Sequence, residues 1–368
     1  METHWIRLAW AAALVALGAS GSVFGQTPSA GPPVPGSGQK LTYRLDIIPT
    51  FGGTTSNVSD INERGQVVGT ADDTSGINQG FLWEAGIMTP LGVLPGWDHT
   101  VPREITERGE VVGAARLRTG QQLAVLWVDG AFTPLGTLGG DWSGAMAANA
   151  TRIVGWSYLI PANMRVFQAF VFDVRGLTVL GSLPGGGFTS PVDISLDHRT
   201  IGSGMNRFDD SRAWIHTDRD GFFELPSLGG LGLMVDPYAI NERGDIVGSS
   251  EIDATYRDPQ GQRVFQSRAT LWRDGRLIDL GVFGGFVNSF ARDINDGGEI
   301  VGLCQTRQYQ ARPFLWREDL GMVDLNDLVN LPPGDSLLVA QKINDAGQII
   351  GTLETNGQFR GFVLTPVQ

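Results

Sequence analysis

Seven times between residues 61 and 351 the chain returns to one short pattern: isoleucine and asparagine, two variable residues, a glycine, one further residue, and an apolar pair closed by a second glycine. It is complete in INERGQVVG (61–69), INERGDIVG (240–248) and INDGGEIVG (294–302), close to complete in ITERGEVVG (105–113) and INDAGQIIG (343–351), and reduced in ANATRIVG (148–155) and ISLDHRTIG (194–202). The markers begin near 61, 105, 148, 194, 240, 294 and 343, which is 43 to 54 residues apart. A unit of that length cannot bury an apolar face alone and must stack on its neighbours, so the chain is a solenoid or a propeller.

Each unit reads as four short strands. In the sixth these are SFARDIN, EIVGLCQT, PFLWRE and MVDL, with apolar and polar residues alternating as half-buried strands require. Asn295 and Gly298 bracket a tight turn between the first two, because asparagine bonds nearby backbone and glycine takes positive φ. Third strands carry FLW (81–83), VLW (125–127), TLW (270–272) and FLW (314–316). Their tryptophans (Trp83, Trp127, Trp272, Trp316) hold a fixed place in the repeat and are expected between blades.

Four antiparallel strands in about 45 residues make a propeller blade. The repeats open on YRLDIIPTFGG (43–53), which matches a fourth strand and its following loop, and finish on RGFVLTPVQ (360–368), a third strand lacking a fourth. The predicted fold is therefore all-β, a seven-bladed propeller over residues 42–368 whose N-terminal strand completes the last blade. The 51 glycines, about twice the usual share and without a three-residue period, suit so many turns.

Residues 1–25 contain Arg7, the apolar run LAWAAALVALGAS and then small residues, the pattern of a secretory signal peptide. The run is shorter than the roughly 20 residues a membrane span needs. Residues 26–41, rich in Pro, Gly and Ser, read as a linker. The expectation is a secreted chain, periplasmic or extracellular, with no membrane insertion of its mature part. The single cysteine, Cys304, forms no internal disulfide, so such a chain depends on packing.

Taken together behind a signal-like segment, INxxGxVVG, AFLWxxG and LGxLGG resemble the HAF-type extracellular repeat proteins of bacteria. The resemblance covers residues 43–368. The third and fourth units depart from it, with Phe172 and His216 where others have tryptophan. It implies export and a repeat fold, and no established activity.

Strand direction places the INxxG and xDG turns on one face and the strand-four junctions on the other. The loop after the second strand also lies on the junction face, and it ranges from 9 residues (Thr352 to Arg360) to 20 (Ser249 to Arg268). Such variation is where a scaffold carries specificity. Aromatics follow the junction glycines at Trp97, Trp142, Phe188 and Phe286, with Asp98 and Asp141 beside two of them. Rings stack on sugars or peptides while carboxylates bond hydroxyls, so these six residues are the candidate ligand-binding set. The plainer reading tucks each ring under the next blade.

A net charge of −12 without a basic cluster argues against a nucleic-acid partner. No nucleotide loop, zinc-protease helix or nucleophile elbow is present, and no catalytic, metal or cofactor residue is assigned. The densest polar stretch is the fourth unit, with Asp193, Asp197, His198, Asp209, Asp210, His216, Asp218 and Asp220; its DRDG run (218–221) holds only part of a calcium ligand set. The expectation is a binding module for a carbohydrate or an envelope protein rather than an enzyme. The alternatives are a polysaccharide-acting hydrolase or lyase and a purely structural envelope protein. An enzyme on this scaffold needs carboxylates converging at the channel, one with a raised pKa.

Overall fold

A computed structural model describes residues 41–160, 167–208, 210–229 and 234–367; the signal-peptide assignment, all of the linker but residue 41, and Asp209 lie outside the described residues. Twenty-eight strands form seven four-stranded antiparallel sheets. Blade 1 comprises β2 (Gly52–Ile61), β3 (Val67–Asp73), β4 (Asn78–Glu84) and β5 (Ile87–Pro90); blade 2, β6 (His99–Ile105), β7 (Val111–Arg116), β8 (Gln122–Val128) and β9 (Ala131–Gly136). Blade 3 has β10 (Ser143–Ala148), β11 (Ile153–Tyr158), β12 (Phe167–Asp173) and β13 (Gly176–Gly181); blade 4, β14 (Thr189–Ile194), β15 (Thr200–Met205), β16 (Ser211–Thr217) and β17 (Gly221–Glu224). Blade 5 has β18 (Val235–Ile240), β19 (Ile246–Arg257), β20 (Arg263–Arg273) and β21 (Arg276–Asp279); blade 6, β22 (Asn288–Ile294), β23 (Ile300–Gln305), β24 (Ala311–Arg317) and β25 (Gly321–Asp324).

Blade 7 is built from both ends of the described chain. β26 (Ser336–Ile343), β27 (Ile349–Thr355) and β28 (Gln358–Val367) are completed by β1 (Thr42–Ile47), paired with β28 from Thr42↔Val367 to Ile47↔Phe362. The first strand of every blade touches the first strands of the blades on either side, and β2 touches β26, so these strands form a closed inner ring around the channel.

Each seam between blades has its own apolar core. Val68 and Leu91 of blade 1 meet Ile105 and Val111 of blade 2, and Ile350 and Val363 of blade 7 meet Val67 and Phe81 of blade 1. The strand-three tryptophans lie at these seams, Trp83 and Trp272 buried, Trp127 and Trp316 half-buried. The indole N–H of Trp127 donates to the Leu91 carbonyl of the preceding blade at 3.1 Å, and that of Trp272 to Pro226 at 2.9 Å. The deepest position is two residues earlier, where Phe81, Phe170, Trp214, Phe314 and Phe362 have no exposed surface.

The close first-strand carbonyl explains the glycine ending each marker, and in five blades that aromatic adds to the crowding. A Cβ on Gly302 would lie 2.0 Å from the Phe290 carbonyl oxygen and 2.9 Å from the Phe314 ring. The first strand crowds in because each carries a bulge at one place, as between Ala291 and Asp293. The bulge presses its backbone onto the second strand and leaves one extra residue at the channel edge.

Candidate functional site

The channel has two chemically different ends. At the turn end, the residue before each marker isoleucine is Asp60, Glu104, Ala147, Asp193, Ala239, Asp293 or Lys342 in blade order. All four carboxylates reach the next blade: Asp60 accepts from the Ile105 amide at 2.9 Å, Glu104 from Ala148 at 2.8 Å, Asp193 from Ile240 at 2.9 Å and Asp293 from Ile343 at 2.8 Å. Lys342 Nζ lies 3.3 Å from Asp293.

The marker asparagines form a second circuit. The Asn62 side-chain carbonyl accepts the Arg64 and Gln66 amides, as the turn chemistry predicts, while its NH2 donates to the Thr106 carbonyl of blade 2 at 3.0 Å. Asn149, Asn241, Asn295 and Asn344 donate likewise to Ser195, Asn295, Asn344 and Asn62. Thr106 and Ser195 lack the amide, so the circuit breaks there. At the rim, carboxylates of Glu63, Glu107, Glu242, Asp296 and Asp345 accept amides from the preceding blade. These rings enclose a cavity of about 370 Å³.

Crowding so many acids shifts their ionisation. Burial pushes Asp60 up to about 7 and Asp293 to about 6, against the pull of Lys342 and the backbone amides. Burial, with Asp193 and Asp60 nearby, carries Glu104 well above the usual carboxylate range. Burial opposes the charge on Lys342, yet the carboxylates of Asp293, Asp60, Asp193 and Glu104 outweigh it and hold the ammonium firmly protonated.

The junction end carries the candidate ring residues. Trp142 stands edge-on to Tyr158 at 6.0 Å, Tyr158 to Phe167 at 5.8 Å, and Phe167 lies 4.8 Å from Phe188, with Trp156 alongside. Trp142 and Phe188 thus belong to one aromatic group. Phe188 is its buried base and the other rings are half-buried. Trp97 sits apart, half-buried on Leu94, Ala115 and Val125, and Phe286 packs edge-on to Phe283 at 5.8 Å. The Asp98 carboxylate accepts the Arg118 amide at 2.6 Å, while Asp141 is exposed and its carbonyl receives Gln121 at 3.3 Å. The exposed aromatics Phe208 and Tyr309 of the loops after the second strands, and Phe265 of β20, lie at this end too. The long β19–β20 hairpin also stands here, its Tyr256 hydroxyl taking a hydrogen bond from Asn288 of blade 6.

Tyr158, Trp156 and Phe167 escaped the sequence reading, although WSY after the marker of unit three was a visible signal. The channel acids escaped it as well. The dense fourth unit disperses: Asp193 faces the channel, Asp197 bonds Ser195 and Arg199, Asp210 pairs with Arg212, and Asp218 pairs with Arg152. Among the described residues no three His, Cys, Asp or Glu side chains are placed to hold a metal.

No family model matches the sequence, and no curated protein matches it. Solved structures share the fold at low identity. A structure from work on two prolyl endopeptidases superposes with a TM-score of 0.56 at 12% identity, covering 89% of this chain and 51% of that one. A Mycobacterium tuberculosis puromycin-hydrolyzing peptidase gives 0.53 at 13%, covering 88% and 50%. The chain spans about half the length of each of these two. A Xanthomonas campestris gluconolactonase aligns over 92% of this chain and 99% of its own at 12% identity, with a TM-score of 0.42. At such identities the likeness is one of fold alone.

Proposed function

We propose that the protein is a secreted binding module whose junction face takes a carbohydrate ligand, as a member of the HAF-type group that its repeats resemble. The observation that carries this reading is the contrast between the two ends of the channel. At the turn end the inner carboxylates already accept amides from the next blade, and this hydrogen bonding holds the ring together. At the junction end, the half-buried rings of Trp142, Trp156, Tyr158 and Phe167 form one group with Trp97 apart from it, and they offer faces and edges that a sugar ring can stack on.

The test is thermal unfolding of the mature chain against a panel of oligosaccharides. A sugar that binds only the folded state at 100 times its dissociation constant stabilises by about 2.7 kcal/mol. The shift is expected to vanish in a Trp97→Ala, Trp142→Ala variant that still folds. A shift from envelope proteins and from no sugar would replace carbohydrate with a protein partner. Export is tested by N-terminal sequencing of the secreted chain, with the first residue expected near Gln26.

One observation supports the enzymatic alternative: burial raises Asp60 to about 7 and Glu104 well above the usual carboxylate range, the kind of shift a general acid needs. Loss of polysaccharide turnover in Asp60→Asn, with the fold intact, would establish it.

A further inference from the structure

Blade 2 carries two cations for which the fold supplies no counter-charge. Arg103 is the extra residue of the β6 bulge, between Pro102 and Glu104, on the innermost strand. Protein surrounds it, yet its side chain is exposed, as it must be in the water of the channel. Among the described residues it makes no hydrogen bond or ion pair. Loss of bulk water holds its guanidinium below the ordinary value, and the one charge acting on it is another cation, Arg116. Arg116 closes β7 at the junction end, and no carboxylate of the acidic ring is among the groups that act on Arg103. Arg116 in turn spends its N–H groups on the neutral Gln122 oxygen, at 3.2 and 2.6 Å.

In a chain of net charge −12, a guanidinium exposed to the channel with no acid in hydrogen-bond contact is left without a protein partner. The bulge residue of blade 6, Arg292, shows the usual remedy: it lies over the Tyr238 ring at 4.6 Å, with Asp236 nearby. Arg103 has neither. The aromatics flank the same blade. Trp97 precedes β6, and Trp142, which follows β9, reaches back over the β7–β8 loop, 3.7 Å from where a Cβ on Gly120 would stand.

We propose that the junction end of the channel at blade 2 binds an acidic saccharide, with a sugar carboxylate on Arg103, supported by Arg116, and sugar rings against Trp97 and Trp142. This rests on the carbohydrate reading above and narrows it to uronate-bearing chains. A guanidinium takes a carboxylate with two parallel hydrogen bonds, which neither a hydroxyl nor a neutral sugar offers.

The experiment is calorimetric titration of the full mature chain with trigalacturonate, with its neutral counterpart galactotriose, and with acetate. Trigalacturonate is expected to bind at least about tenfold more tightly than galactotriose, the difference that one charged hydrogen-bonded pair makes, and more weakly as salt rises. Arg103→Gln should lose that preference while its melting temperature stays level or rises, because it removes a charge that lacks a partner. Arg103→Lys, which keeps the charge without the fork, should retain part of it. A fall in melting temperature for Arg103→Gln would mark the residue as structural and overturn the proposal. Equal binding of both sugars, or a trigalacturonate affinity indifferent to Arg103→Gln, overturns it and leaves the carbohydrate reading standing. Acetate matching trigalacturonate overturns the saccharide assignment. Silence from both sugars overturns the proposal and the carbohydrate reading together.

Discussion

The Asn344 side-chain amide donates to the main-chain carbonyl of Asn62 at 3.1 Å, joining residues 282 positions apart in the chain. It closes the asparagine circuit at the seam where the two ends of the repeat region meet. Asn344→Ala removes one of that carbonyl's two donors, the Gly65 amide remaining at 2.9 Å, and breaks the turn bond from Gln348, so at about 0.5–1.5 kcal/mol for each bond it should cost about 1–3 kcal/mol by equilibrium denaturation. Thr106→Asn supplies a missing amide opposite Asn149 and should stabilise the ring by about 0.5–1.5 kcal/mol.

The marker glycines are spatial requirements. Gly302→Ala drives a methyl into the Phe290 carbonyl and the Phe314 ring and should destabilise by about 2–4 kcal/mol in urea unfolding. At Gly284 an added methyl would meet nothing within 4 Å, and φ is not positive, so Gly284→Ala should stay within about 0.5 kcal/mol of the parent.

Stability should fall as pH rises through neutrality. Asp60, Asp293 and Glu104 have folded-state pKa values above the unfolded range near 4, so the folded chain holds protons that the unfolded chain releases. Their protonated forms therefore favour the fold at about pH 4–5. For Asp60 and Asp293, raised to about 7 and about 6, that contribution, on the order of several kcal/mol, is lost by about pH 8. The groups facing them are Lys342, Asp193 and one another. Lys342→Met removes the cation that tolerates their ionisation, and it should cost far more stability at pH 8 than at pH 5 by chemical denaturation.

Tryptophans at one repeat position should not be equal. Trp83, 7% exposed, should cost about 3–5 kcal/mol on truncation to alanine. Trp316 is only half-buried and should cost about 1–2 kcal/mol less. Thermal melts of the two variants make the comparison.

The seven blades and their closing strand were legible in the sequence because INxxGxVVG fixes strand, turn and strand in each unit, and because the fragments at 43–53 and 360–368 complement each other. Asn295 was legible as a turn residue and illegible as a link between blades, since a local pattern shows the carbonyl half of the amide at work and hides where its NH2 points. The same applies to the acids. Asp60 and Glu104 look like ordinary strand-end polar residues until the bulge turns them onto the next blade. Trp142 and Phe188 were found from their place after junction glycines. Tyr158 and Phe167 join them only through the hairpin of blade 3, and Arg103 shows its lack of a partner only when every neighbour has a position.

The side chains of the marker asparagines and the inner carboxylates reach the same way around the channel, and those of the rim carboxylates reach back. Every marker asparagine gives its amide to the blade ahead, and every inner carboxylate takes one from it; the asparagine link crosses from blade 7 to blade 1 as it does elsewhere. The ring consequently has no privileged beginning. A circular permutant opened at the exposed Glu318–Asp319 turn, with Val367 joined to Thr42 through a short turn, would carry its split blade in position six and pass the same handed circuit through an unbroken blade 7.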